Sequence, residues 1–464
     1  PEFLRSRYDE TVQRMAVVLF MLGYGLVTIP SVLYSGSIAV MNIFNIEAVF
    51  GLERFEALVT TVVAIGMIGA VYAVFGGLKA VAVSDTVNGV GLLIVGILVP
   101  TLGLIALGQG DFFAGLTTIA TEAPEKLNAI GGPTDPTPFG TIFTGMVFAN
   151  LFYWCANQYV IQRTLAARSL AEGQKGVLFS GFFKVLVPFF MMIPGIIAFH
   201  MFGPDLQPFD RAYPRLIEEV FPVWLMGFFL AVLLGAVFSS FNSLLNSAAT
   251  LFTLDLYTPL VGRDLSDKET VRIAMIASVV IALFSFVVAP MLYFAPEGLW
   301  QVIRIFTGFY NIPVVAIVVV GLFTRSVPAL GAKIVIVFHV LAYGLLRFVL
   351  ADVVTLHFLH LYAILFLVEV AIMLGVGALA PLKTPWTFER REQVDMSSWR
   401  FAAPTATTLL SAVVFLYVLF SPLGVASGSV GAGFYAAVMG LGLVNVVAWA
   451  RSLRPGTMKA KTTV

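Results

Sequence analysis

The sequence predicts an all-α polytopic membrane protein. Hydrophobic residues make up 59% of the 464, charged residues only 11%, and the mean hydropathy is +0.95. A soluble chain of this length would form about three domains. Here the polar surface is too scarce for water, and the composition fits lipid as the solvent. The apolar residues gather into segments long enough to span, at roughly 14–44, 57–75, 81–107, 139–161, 176–201, 222–253, 273–294, 298–323, 329–350, 358–380, 401–420 and 430–450. That is about twelve spans. The longer connections are 108–138, 202–221 and 381–400, and the first, with its APEKLNAIGGPTDPTP, reads as an irregular external or re-entrant segment.

Charge orients these spans. With the start of the chain inside, the inner segments hold 20 of the 27 Lys and Arg, among them Arg5, Arg7, Lys79, Arg163, Arg263, Lys333, Arg390, Arg391 and Arg451. Outer loops hold only Arg54, Lys126, Arg211 and Arg215, while Asp111, Glu122, Asp135, Asp205, Asp210 and Glu219 crowd there. The positive-inside rule then places both ends in the cytoplasm of a multi-pass protein of the plasma (inner) membrane. A net charge of +1 argues against a nucleic-acid partner. The one cysteine, Cys155, excludes an intrachain disulfide and reads as packing in its apolar run. The chain opens on Pro1 without a signal peptide, which suggests that its native start lies upstream.

The stretch Val237–Tyr257 is apolar yet rich in hydroxyls and amides. On a helix, Ser239, Asn242, Ser243, Asn246, Ser247 and Thr250 follow spacings of three and four and form one polar stripe. Such groups are costly in hydrocarbon unless partnered. The stripe reads either as close helix packing through small residues or as an oxygen-built site for a hard cation or a solute. Four charges also fall within spans. Lys184 lies nine residues past Lys175, about 13 Å deeper on a helix. Arg304 follows Glu297 by one to two turns, and the alternative to a functional role is snorkelling to the outer interface. Arg347 reads as a snorkelling residue. Asp85 lies just past Lys79 and Gly76-Gly77, a pair that should break one span before the next. It is either a cation way-station or a partner of Lys79.

Three stretches carry a resemblance. Asn150–Gly176 (NLFYWCANQYVIQRTLAARSLAEGQKG), Val71–Val87 (VYAVFGGLKAVAVSDTV) and Ser239–Tyr257 (SSFNSLLNSAATLFTLDLY) resemble signature stretches of the sodium/solute symporter family, closest to its sodium/glucose (sodium/sugar) branch. The opening PEFLRSRYDE is similar to the cytoplasmic lead-in to that family's third core helix. The resemblance implies a leucine-transporter-type inverted-repeat fold, with the solute bound at the midplane between two five-helix repeats. On that alignment residues 1–107 are helices three to five of the first repeat, 108–138 an external loop, 139–323 the second repeat, and 324–464 peripheral helices with a basic tail. The leading helix and first two core helices would be missing, and this chain alone would not couple sodium to transport.

The resemblance also implies a site. Ala236, Ser239 and Ser240 match a sodium site, through a carbonyl and two hydroxyls. Asp85 matches an acid on the ion path, and Asn242 and Ser243 are possible second-site positions. Asn150 and Lys184 match hydrogen-bonding positions of a sugar site, and Tyr153 matches the aromatic inner gate beneath the ring. Two positions depart from the sugar carriers: Thr28 stands in place of an asparagine and Arg304 in place of a glutamine. A guanidinium there favours a carboxylate or phosphate on the ligand, or an acid elsewhere in the protein.

The reading is sodium-coupled secondary symport of a monosaccharide or related polar solute by alternating access. The coupling ion is sodium, and the partners are a sugar-like small molecule and membrane lipid. The alternatives are a sugar acid, polyol or other organic solute, or a non-transporting sensor that keeps the fold. An enzyme has little support, since the histidine pair His357 and His360 has no accompanying acid cluster.

Overall fold

Every regular element among the described residues is a helix. The computed structural model describes residues 1–204, 206, 211–262, 265–294, 299–387 and 394–454, and only the backbone of 73–84 and Arg163. Glu297, Arg263, Arg390, Arg391, Asp205, Asp210 and the basic tail from 455 lie outside the described residues, as does the side chain of Lys79. In chain order the helices are α1 (Glu2–Arg7), α2 (Glu10–Gly23), α3 (Ile29–Ile43), α4 (Ile46–Phe50), α5 (Arg54–Leu107), α6 (Phe112–Thr121), α7 (Gly145–Cys155) and α8 (Gln158–Leu165). They continue as α9 (Leu170–Val187), α10 (Ile193–Phe202), α11 (Ala212–Val220), α12 (Val223–Thr250), α13 (Thr258–Val261) and α14 (Asp267–Met291). The last are α15 (Leu299–Phe323), α16 (Ala329–Gly344), α17 (Phe358–Leu379), α18 (Ala402–Leu419) and α19 (Ala432–Leu453).

Eleven of these stretches are long and apolar enough to cross a membrane. The twelfth expected span, 139–161, is a 3-10 turn followed by the shorter helices α7 and α8, interrupted at Ala156 and Asn157. Two of the longer connections are partly helical. Within 108–138, the Asp111 carboxylate caps α6 by accepting from the amides of Phe113 and Ala114. The apolar face of α6 then packs on α5, where Gly115 leaves no room for a Cβ beside the Leu104 carbonyl. Within 202–221 lies α11, which buries Leu216 and Ile217.

Helical hydrogen bonding runs without a gap from Arg54 to Leu107, so Gly76-Gly77 does not end a helix as expected. The helix does not run straight through this region. Gly69 meets the rings of Phe238 and Phe241 on α12, Asp85 accepts from Ser239, Asn88 covers Gly235, and Val232 covers Gly91. The 16 residues from Gly69 to Asp85 would extend about 24 Å as a straight helix. Both ends meet the same turn of α12, so α5 bends between them.

Four segments adopt the wider π-helical turn: Tyr24–Thr28, Pro188–Met192, Leu251–Tyr257 and Leu345–Val349. The first three adjoin prolines, at Pro30, Pro194 and Pro259. Proline has no N–H for the carbonyl one turn earlier, and the local register shifts to accommodate its ring. Threonine hydroxyls take up two of the loosened carbonyls: Thr28 donates to Gly23 at 3.2 Å and Thr258 to Thr253 at 2.7 Å. Close helix approach depends on glycine, as membrane packing requires. Gly36 lies against Val237 and Gly66 against Phe286, neither with space for a methyl group. One core cluster joins α2, α3, α12, α15, α16 and α17, and a second joins the later arm of α5 with α10 and α11.

Candidate functional site

A cavity of about 1620 Å³ opens between the π turn after α2, α7, α9, α15 and the segment 126–139. It exceeds the roughly 300–1,000 Å³ of ordinary ligand pockets, so it is a vestibule as well as a site. All five residues expected to face the solute line it: Thr28, Asn150, Tyr153, Lys184 and Arg304. They lie between 28 and 304 in the sequence, and only the helix packing brings them together.

The wall around Tyr153 is aromatic. Tyr159 donates its hydroxyl to that of Tyr153 at 3.0 Å, and the two rings stand edge to face, as do those of Tyr153 and Trp154. The gap between α7 and α8 frees this region from helical geometry, and Asn157, only 4% exposed, sits in it. Its carboxamide oxygen accepts the hydroxyl of buried Tyr24 at 2.8 Å. Asn150 is exposed to the cavity and donates its amide to the Met146 carbonyl at 2.9 Å. Cys155 ends α7 and is exposed, contrary to the expected packing role, because the helix breaks where its apolar face would have continued.

Two of the lining cations come from within spans. Arg304 is 9% exposed, so it does not snorkel. Its guanidinium donates to the Thr137 hydroxyl at 2.8 Å and to the Pro136 carbonyl at 3.5 Å, and lies 5.6 Å from the Phe358 ring centroid. Lys184 sits 5.5 Å from the Trp154 ring centroid. Among the described residues neither is ion-paired with a carboxylate. Asp135, which also lines the cavity, is occupied in its own turn by the Gly132 amide at 2.6 Å.

Sequence reasoning missed Ser31 and Asn311. Both are buried in the cavity wall, and the Ser31 hydroxyl and Asn311 carboxamide oxygen have no hydrogen-bond partner. An unpartnered buried polar atom costs about 1–3 kcal/mol, which a ligand or water can recover. Asn311 had a visible signal, an amide between Tyr310 and Pro313 in an apolar span. Ser31 had none.

The candidate ion residues form a separate group on α12 and the later arm of α5. Ser239 donates its hydroxyl to the Asp85 carboxylate. Ala236 is half-buried, Ser240 is exposed, and Asn242 and Ser243 are buried. Neither polar atom of the Asn242 carboxamide has a partner, and the Ser247 hydroxyl on the same stripe also lacks one. Oxygen donors with spare lone pairs beside a carboxylate suit a hard alkali cation. The histidines His357 and His360 do other work: His357 accepts the Leu359 amide at the start of α17, and His360 pairs with the Thr144 hydroxyl at 2.9 Å.

The sodium:solute symporter family model matches residues 1–337. The chain belongs to the sodium:solute symporter family. It is 40% identical to the uncharacterized symporter YidK of Escherichia coli K12 over 424 residues, covering 91% of this chain and 74% of YidK. It is 31% identical to the sodium/glucose cotransporter of Vibrio parahaemolyticus over 359 residues, covering 73% of this chain but only 64% of that protein. Among solved structures it is similar to a substrate-bound, outward-open Na+-coupled sialic acid symporter. The TM-score is 0.66 at 22% identity, over 82% of this chain and 77% of the other. The shared fold is the leucine-transporter-type architecture that the sequence stretches implied. Members of this family are transporters and not enzymes.

Proposed function

We propose that the protein is a sodium-coupled secondary symporter whose solute is hydroxyl-rich, sugar-like and anionic. The observation that carries the anionic character is the pairing of Arg304 and Lys184 in one cavity wall, with no carboxylate ion-paired to either among the described residues. Two intramembrane cations are costly without a counter-charge, and a carboxylate on the solute would supply one. Tyr153, Tyr159 and Asn150 around them suit a ring of hydroxyls, an aromatic face with polar groups at its rim. The name of the Vibrio relative supports the sugar class.

Sodium enters as co-transported cargo. Ser239, Ser240 and the Ala236 carbonyl would take it, with Asp85 on its path and Asn242 and Ser243 as further oxygen donors. Coupling then rests on solute affinity that differs with and without sodium, an effect that is reciprocal by linkage.

A second reading, a neutral monosaccharide or polyol, draws on the hydrogen bonds that Arg304 already makes to Thr137 and Pro136. Uptake into proteoliposomes of the full natural protein separates the two readings. Glucuronate and N-acetylneuraminate are compared with glucose, galactose and myo-inositol, with and without a sodium gradient. Sodium-dependent uptake of an acid, shifted toward neutral sugars by Arg304→Gln, supports the first reading. Neutral uptake indifferent to that substitution establishes the second. No sodium-dependent uptake of any of the five overturns both readings and leaves another organic solute or a sensor that keeps the fold.

A further inference from the structure

α15 is gripped along one face by the peripheral helices α16 and α17. Three of its backbone carbonyls receive side-chain donors. Tyr362 donates to Arg304 at 2.5 Å, Tyr343 to Ile305 at 3.0 Å, and His339 Nε2 to Gly308 at 3.0 Å. Gly308 leaves no room for a Cβ beneath the Tyr362 hydroxyl, so glycine is what admits the grip. Behind His339 stands Glu369, its Oε1 at 2.5 Å from Nδ1. His339, Glu369 and Tyr343 are 0% exposed and Tyr362 is 1% exposed.

Protonation follows from the partners. A carbonyl only accepts, so Nε2 carries a proton. Nδ1 and a carboxyl oxygen approach at 2.5 Å only with a proton between them. The pair is therefore neutral overall, whichever atom holds that proton. An acid and an imidazole buried for packing alone would be an expensive choice beside two leucines. What the acid adds is a fixed tautomer. Without it only the Gly308 carbonyl biases the proton to Nε2, and nothing on the Nδ1 side holds the tautomer or the turn of the ring.

We infer that Glu369 locks the tautomer of His339 so that His339 holds the rotation of α15, making both positioning residues for the cavity face of that helix. The inference deepens the proposed function and rests on its reading that Arg304 faces the solute. Side chains lie about 6 Å from a helix axis, so a turn of about 10° displaces them by about 1 Å. Shifts of that size in a bound group cost orders of magnitude in function. Tyr362 joins the two ends of the device, since it lines the cavity and donates its hydroxyl to the Arg304 carbonyl.

The test uses the full natural protein in proteoliposomes, with Cys155 and any further native cysteine replaced by serine as background and Thr307→Cys as a reporter on the cavity face of α15. Glu369→Leu should change the labelling rate of the reporter by a water-soluble thiosulfonate at least threefold. Glu369→Gln, whose amide N–H donates to Nδ1 and keeps the tautomer, should label as the parent does. Unchanged labelling in Glu369→Leu overturns the inference, as does equal change in both variants. If Glu369→Leu does not fold, Tyr343→Phe removes one hydroxyl of the same grip and is read the same way. Uptake of N-acetylneuraminate gives the second readout, without the reporter. Glu369→Leu should raise KM about tenfold with the maximal rate held within twofold, and should add nothing in an Arg304→Gln background. A purely structural role would make the two substitutions additive, which also overturns the inference. If Arg304→Gln alone leaves uptake untouched, the solute reading fails while the labelling result still decides the positioning role.

Discussion

The hydroxyl of Tyr24 donates to the carboxamide oxygen of Asn157 at 2.8 Å, tying the π turn between α2 and α3 to the break between α7 and α8. Both residues are buried, at 0% and 4% exposure. The bond joins two irregular points beside the cavity, so each holds the other's shape. Tyr24→Phe keeps the ring packing and leaves the Asn157 oxygen unpartnered. It should lower stability by about 1–3 kcal/mol, seen as an earlier thermal transition in detergent. An unchanged transition would mean that water replaces the hydroxyl.

Asp85 and Ser239 offer the most direct test of the ion residues. Asp85→Asn preserves size while removing the charge beside the serine stripe, and Ser240→Ala removes one hydroxyl. Each should raise the sodium concentration for half-maximal uptake about tenfold, or about 1.4 kcal/mol of ion affinity. Sodium activation curves that overlay those of the natural protein would move the ion elsewhere.

Arg7 closes the far end of α15. Its guanidinium donates to the carbonyls of Gly321 at 3.0 Å, Val327 at 3.1 Å and Thr324 at 3.1 Å, and lies 4.6 Å from the Tyr8 ring centroid. A planar fork satisfies several carbonyls of a helix end at once, which a lysine ammonium does not. Arg7→Lys should therefore destabilise the fold by about 1–3 kcal/mol despite keeping its charge. A melting curve like that of the natural protein would show that the charge alone suffices.

His357 sets a pH dependence. Burial, followed by the positive charges of Arg304, His360 and Arg347, holds its imidazole below the usual range. The folded state then resists a proton that the unfolded chain accepts near pH 6.5. The contribution is complete above about pH 6.5 and is lost as pH falls from there through the lower folded value. Melting temperature should drop between about pH 7.5 and pH 5.5. His357→Asn, which still caps α17, should flatten that part of the slope. An identical slope in the variant would assign the loss to other groups.

Much of the architecture was legible because membrane spans are written in composition. Eleven of the expected spans appear as apolar helices, since hydrocarbon forces every backbone group into a helical bond. The break at Ala156 and Asn157 within 139–161 was not legible, because an apolar run reports burial in lipid and says nothing of where a helix is interrupted. α6 was hidden inside 108–138 because the Gly and Pro of its second half stood for the whole. Thr28, Asn150 and Tyr153 were legible only as positions matching a family pattern, whereas Lys184 and Arg304 also stood out as charges within apolar spans.

The sequence by itself determined the solvent, the helical class and the family, because hydropathy and ordered motifs are properties of linear stretches. Tertiary structure decided which distant side chains share a wall. It turned Arg304 inward onto Thr137 rather than outward to the interface, and it set Ser239 against Asp85 by packing α5 along α12. It also placed Glu369 behind His339 and His339 beneath Gly308. None of these follows from spacing along the chain, because each depends on the angle and rotation at which two helices pack, and those are set by glycine contacts and side-chain hydrogen bonds between helices far apart in sequence.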